Sequence, residues 1–143
     1  MSNQRLSPQQ AHELCTNEGY VYVDVRSTGE FQQGHPAGSY NIPLAEPGPG
    51  GMAPNADFLK VFSAAFPKDA KLVVGCAAGG RSARAITNLA QAGYTQLVDQ
   101  RAGFDGARDP FGAVSEPGWR AAGLPTASGP DAERGYAALR AKA

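Results

Sequence analysis

Two short runs of the chain, "YVYVDV" at 20–25 and "KLVVGC" at 71–76, are apolar at nearly every position and rich in β-branched or aromatic side chains. Such runs suit strands covered on both faces, as in a parallel sheet. A third, "TQLVD", reads as a further strand. Helical patterns precede and separate them. "SPQQAHELCTNEG" offers Ser7 as N-cap, Pro8 at the first helical position and Gln10 for a capping box, with Ala11, Leu14 and Cys15 on one face. "NADFLKVFSAAFP" predicts a helix capped by Asn55, with Phe58, Phe62, Ala65 and Phe66 on one stripe, and stopped by Pro67. "SARAITNLAQAG" places Ala85, Ile86 and Leu89 on one face before Gly93. Parallel strands need crossover connections, so this alternation predicts an α/β fold with a central, mainly parallel sheet.

The intervening segments are punctuated by turn chemistry. Ser27 and Glu30 repeat the capping-box pattern in "STGEFQQG", and "SYNIP" gives a brief extended piece ended by Pro43. "EPGPGGMAPN" is so dense in proline and glycine that a surface loop with neither helix nor ladder is expected. After Gly103 the pattern loosens, and "GPDAERGYAALRAKA" predicts a short, largely polar closing helix.

The 143 residues suit one domain with a single core. Thirteen basic side chains balance thirteen acidic ones, so no electrostatic footprint for nucleic acid or an anionic membrane is present. No apolar run approaches the roughly 20 residues of a membrane span, and the start "MSNQRLSPQQ" lacks a signal-peptide layout, so a cytoplasmic protein is expected. Two cysteines build no disulfide framework, and His12 and His35 show no metal-ligand spacing, so neither metal nor cofactor is expected.

Any chemistry then rests on one thiol. Cys76 ends the strand "KLVVGC", and ligands of parallel α/β sheets collect at carboxyl strand ends. Ala77, Ala78, Gly79 and Gly80 carry no bulky or acidic group, and both glycines suit a backbone that turns its N–H groups toward one point. A helix beginning near Ser82 and the cation of Arg81 both favour thiolate over thiol. Cys76 therefore reads as an ionised, reachable nucleophile. Cys15, mid-helix with no glycine loop or cation, reads as a core thiol.

Four pieces in order, "YVDVRSTGEFQQGHPAGSYNIP", "GCAAGGRS", "GYTQLVDQRAGFDG" and "WRAAGLP", together resemble the rhodanese family of single-domain sulfurtransferases. The resemblance implies a rhodanese-like three-layer α/β/α domain over residues 5–127, with 105–118 as a loop insertion and 128–143 as a C-terminal helical extension. It implies a ping-pong reaction in which Cys76 takes the outer sulfur of a donor such as thiosulfate and passes it to cyanide, a thiol or a protein thiol. Ala77, Ala78, Gly79, Gly80, Arg81 and Ser82 match the substrate-binding loop, with Arg81 placed to orient sulfonate oxygens. Asp24 and Arg26 match a D-x-R pair that supports the pocket wall. His35 is assigned no chemistry, Arg84 reads as a solvated helix residue, and Arg108 and Phe111 read as surface decoration rather than a pocket overhang. The implied partners are a small sulfur donor and a thiophilic acceptor, and the implied state is a monomer or weak homodimer.

Two other functions occur on this or related folds. Phosphatases and arsenate reductases use loops resembling C-x5-R, one residue longer than the spacing from Cys76 to Arg81. Non-catalytic interaction domains generally lose the cysteine or spoil its loop, and both are retained here.

Overall fold

The computed structural model describes residues 4–143. Strand β1 (Gln4–Leu6) leads into α1 (Pro8–Asn17), and β2 (Val21–Asp24) into α2 (Thr28–Gln33). Short β3 (His35–Pro36) and β4 (Tyr40–Asn41) follow, then β5 (Ala45–Gly48), β6 (Gly51–Pro54) and α3 (Phe58–Ala65). The second half carries β7 (Lys71–Gly75), α4 (Gly80–Gln91), β8 (Gln96–Gln100), β9 (Ala107–Arg108), β10 (Val114–Glu116), β11 (Thr126–Ala127) and α5 (Tyr136–Ala141). Both capping boxes close, Ser7 with Gln10 and Ser27 with Glu30, satisfying N–H groups that a helix start leaves free.

Five strands form the central sheet in the order β1-β8-β7-β2-β4, with every neighbouring pair parallel. Alternation along the strands divides the core between two faces. Val23, Leu72, Val74 and Leu97 meet α3, α4 and α5 through Phe58, Phe62, Ile86, Leu89 and Leu139. Tyr22, Val73 and Val98 meet Ala11 of α1 together with Phe104 and Trp119. This is the expected three-layer α/β/α arrangement. Phe62 is fully buried, and its truncation to alanine costs about 3–5 kcal/mol.

Four local expectations are corrected. "EPGPGGMAPN" forms the antiparallel β5–β6 ribbon with register Pro47↔Met52 and Ala45↔Pro54. In a hairpin closed by a two-residue turn, these alternate pairs exchange no ladder hydrogen bonds, so neither proline removes one. Asn55 is not the cap of α3, which starts after Asp57. Its side chain accepts from the Asp57 N–H and donates to the Pro43 carbonyl and the Tyr136 hydroxyl. Helix α4 starts at Gly80, two residues before Ser82. Strand β1, absent from the sequence expectation because "QRL" is short and polar, exists through pairing with β8, with Arg5 opposite Asp99.

The two late segments behave differently. Residues 105–118 fold back as the β9–β10 ribbon, braced by Arg101 on Glu116 at 2.9 and 3.0 Å. Its Phe111 is 95% exposed, and Arg108 donates within the ribbon to the Gly112 carbonyl, so neither covers the thiol. The closing helix α5 instead docks, burying Tyr136 and Leu139 in the larger core cluster. Among the described residues no helix is long and apolar enough to cross a membrane.

Candidate active site

Cys76 follows β7 directly, at the carboxyl edge of the sheet beside the end of β2. The turn is held from beneath by the chain after β8. The Phe104 N–H donates to the Cys76 carbonyl at 2.7 Å, and the Asp105 N–H to the Ala77 carbonyl at 2.9 Å. Gly103 allows this approach: a Cβ there would overlap the Ala77 and Cys76 carbonyls. The loop then rises through half-buried Ala77 and exposed Ala78. It closes at Gly79, whose φ of +102° turns its N–H onto Cys76 Sγ at 3.1 Å.

The two loop glycines are not equivalent, which corrects the expectation that both shape the nest. A Cβ on Gly79 would lie 2.5 Å from the Arg101 carbonyl oxygen, whereas Gly80 is the first helical residue and has open space around it. The first N–H groups of α4 have no intrahelical partner and face the same end of the helix as the thiol. A second correction concerns access. Cys76 is 2% exposed, so the thiol is seated under its loop rather than openly reachable.

Ser82 is fully buried and lies inside this seat. Its Oγ is 3.5 Å from Cys76 Sγ, donates to Asp99 Oδ1 at 2.7 Å, and lies 3.2 Å from the Gly79 carbonyl oxygen. Arg81 is placed differently from the expectation. Its two terminal nitrogens bond Glu30 Oε1 and Oε2 at 2.7 and 3.0 Å, so the fork is occupied by a carboxylate of α2. The Arg81 hydrogen bonds hold Glu30 down at about 2. Arg84, exposed and one turn further along α4, lines a separate cavity of about 600 Å³ with Leu44, Pro54, Phe58 and Asn88.

Asp24 and Arg26 support the site without touching the sulfur. They form a buried pair at 2.7 Å; Arg26 also donates to the Gly34 carbonyl and lies 4.5 Å over the Phe104 ring. Phe104 is the residue that holds the Cys76 carbonyl, so the pair braces the floor of the loop. His35 is a fixture: its Nδ1 is 2.6 Å from the Phe31 carbonyl oxygen and its ring stacks on Phe31. Cys15 is half-buried against the smaller core cluster, and burial pushes its thiol up to about 11.

Sequence reasoning missed Glu30 as the partner of Arg81, having assigned it only a capping role, and missed Asp99 and Arg5 altogether. One signal was present: Asp99 is the sole charged residue in the strand run "TQLVD" and stands near its carboxyl end.

Fold and site together define an α/β domain with one thiol seated in a glycine loop between a parallel strand and a helix. The rhodanese-like domain model matches residues 7–108, and the chain belongs to that family. It is 40% identical over 116 residues to thiosulfate sulfurtransferase 16, chloroplastic, of Arabidopsis thaliana, covering 81% of this chain and 86% of that protein. It is 38% identical over 94 residues to senescence-associated protein DIN1 of Raphanus sativus, covering 66% of this chain but 51%, about half, of that protein. Among solved structures, Rv0390 from M. tuberculosis superposes with a TM-score of 0.73 at 30% identity, covering 90% of this chain and all of that one.

Proposed function

We propose that this protein is a sulfurtransferase that carries sulfane sulfur from thiosulfate as a persulfide on Cys76. The observation that carries the proposal is the Gly79 N–H directed at Sγ at 3.1 Å, from a residue whose φ only glycine adopts comfortably. The thiolate attacks the outer sulfur of thiosulfate, the sulfur–sulfur bond breaks, and its electron pair leaves with sulfite. The persulfide anion then sits before the Gly79 N–H and the free N–H groups at the start of α4, which stabilise negative charge without reorganising. A thiophile, such as cyanide or a thiol, attacks the outer sulfur and returns the electron pair to Sγ.

The relatives named thiosulfate sulfurtransferase support the choice of donor. The depth of Cys76 suits a donor as small as thiosulfate. Phosphoryl transfer is disfavoured, because Glu30 occupies the Arg81 fork that would clamp phosphoryl oxygens. Initial-rate kinetics test the proposal. With thiosulfate varied at several fixed cyanide concentrations, double-reciprocal lines for thiocyanate formation are expected to run parallel. Converging lines would replace the persulfide route with direct transfer in a ternary complex, and an absence of turnover would favour a binding role for the domain.

A further inference from the structure

Three side chains from three elements form one hydrogen-bonded line that ends at the thiol. Ser82 Oγ of α4 lies 3.5 Å from Cys76 Sγ and donates to Asp99 Oδ1 of β8 at 2.7 Å, while Asp99 Oδ2 accepts from Arg5 Nε of β1 at 3.0 Å. Ser82 and Asp99 are buried, whereas the Arg5 side chain is 58% exposed. The line therefore runs from a buried sulfur to a cation at the surface. Its far end is fixed by the register that sets Arg5 opposite Asp99, and its near end by the first turn of α4.

The protons on this line are countable. A serine hydroxyl has one hydrogen, and the shortest contact of Ser82 commits it to Asp99. The lone pairs of Ser82 Oγ are left to face Cys76, where they accept the S–H proton. Asp99, when ionised, only accepts. Burial pushes its carboxyl up from the ordinary value, against the pull of Ser82 and Arg5, so this carboxylate takes a proton more readily than a solvated one.

We propose that Asp99 is a positioning residue that receives the Cys76 proton through Ser82, producing the thiolate without exchanging a proton with solvent. The S–H bond breaks as Ser82 Oγ takes that proton, and Ser82 passes its own hydrogen to Asp99 Oδ1. The products are a thiolate, a serine hydroxyl now donating to sulfur, and a neutral carboxylic acid now donating to the serine. Net charge in the buried site is unchanged, and nothing is oxidised or reduced. Arg5 sets how readily Asp99 holds the proton. The inference rests on the reading of Cys76 as the reactive thiol.

The shape of the pH profile separates this role from a bystander charge. A carboxylate that stays ionised leaves the thiol to lose its proton to solvent, so the thiolate fraction falls with pH; one that takes the proton holds that fraction level. The Gly79 N–H on the sulfur and the titratable groups that the Cys76 charge reaches, Arg81 of α4 and Tyr22 of β2, are left intact by the variants below.

The experiment follows iodoacetamide alkylation of Cys76, with adducts located by peptide mass mapping so that Cys15 is not counted. In the wild type the rate is expected to level off on the acid side of neutrality, because transfer within a shared-proton pair does not depend on pH. In Asp99→Asn and in Ser82→Ala it is expected to fall about tenfold per pH unit there, as for an isolated thiol. Arg5→Gln, a change at an exposed side chain, is expected to raise the level limb. Thermal unfolding of each variant verifies that it is folded, and Arg5→Gln keeps the test open where a buried variant is not. A wild-type rate with no level limb, a level limb that survives in both buried variants, or an Arg5→Gln limb at or below wild type would overturn the inference. If the wild type transfers no sulfur, the proposed function fails while this profile still decides the proton route.

Discussion

The two cysteines of this chain are both held inside the molecule, and the deeper one carries the proposed chemistry. Cys15 is half-buried on α1, and burial alone pushes its thiol up to about 11, leaving a small apolar side chain at neutral pH. Cys76 is 2% exposed, yet its sulfur meets the Gly79 N–H and the Ser82 hydroxyl, with the Arg81 cation nearby. Exposure therefore does not separate the two thiols. What separates them is the set of oriented polar groups around each sulfur, and those groups exist only because β7 ends in a glycine loop that opens a helix.

Exchanging the two positions gives the largest expected effect. Cys76→Ser removes thiocyanate formation altogether, since a serine hydroxyl does not ionise in this range, while Cys15→Ala leaves the rate unchanged. An active Cys76→Ser protein, or a dead Cys15→Ala protein of normal stability, would break the comparison.

The loop glycines supply the next test. Gly79→Ala forces a side chain into a left-handed backbone and against the Arg101 carbonyl, so the N–H directed at Sγ is lost. The rate is expected to fall about a hundredfold, the typical cost of one directed N–H donor. Gly80→Ala, in open space at the first helical position, is expected to leave it intact. Equal losses at both positions would remove the directed amide from the account.

Glu30→Gln gives a smaller effect with a defined pH signature. Because Arg81 holds Glu30 at about 2 rather than its ordinary 4.5, the pair stabilises the folded chain fully above about pH 4.5. That stability is lost as pH falls toward about 2. Glu30 is partly exposed, so solvent screening limits the worth of the pair to roughly 1 kcal/mol. The difference in unfolding free energy between wild type and Glu30→Gln should be constant near neutrality and shrink on acidification. A difference that grows on acidification would contradict the assigned pairing.

Local signals made much of this legible in the sequence. The capping boxes at Ser7 and Ser27 fixed two helix starts, apolar runs marked β2 and β7, and the cysteine–glycine–arginine loop marked the candidate site. What escaped depends on partners distant in the chain. Arg81 finds Glu30 across 51 residues, Asp99 finds Arg5 across 94, and β1 is a strand only because β8 lies beside it. The β5–β6 ribbon escaped for another reason. Proline density argues against a ladder unless the register is known, and register is a property of the pair rather than of either strand.

The persulfide itself is the central claim, and intact mass tests it most directly. Wild-type protein incubated with thiosulfate is expected to gain the mass of one sulfur atom, located on Cys76 and removed by cyanide, with Cys15→Ala behaving identically and Cys76→Ser gaining nothing. A sulfur gained by Cys76→Ser, or located on Cys15 in the wild type, would contradict the account.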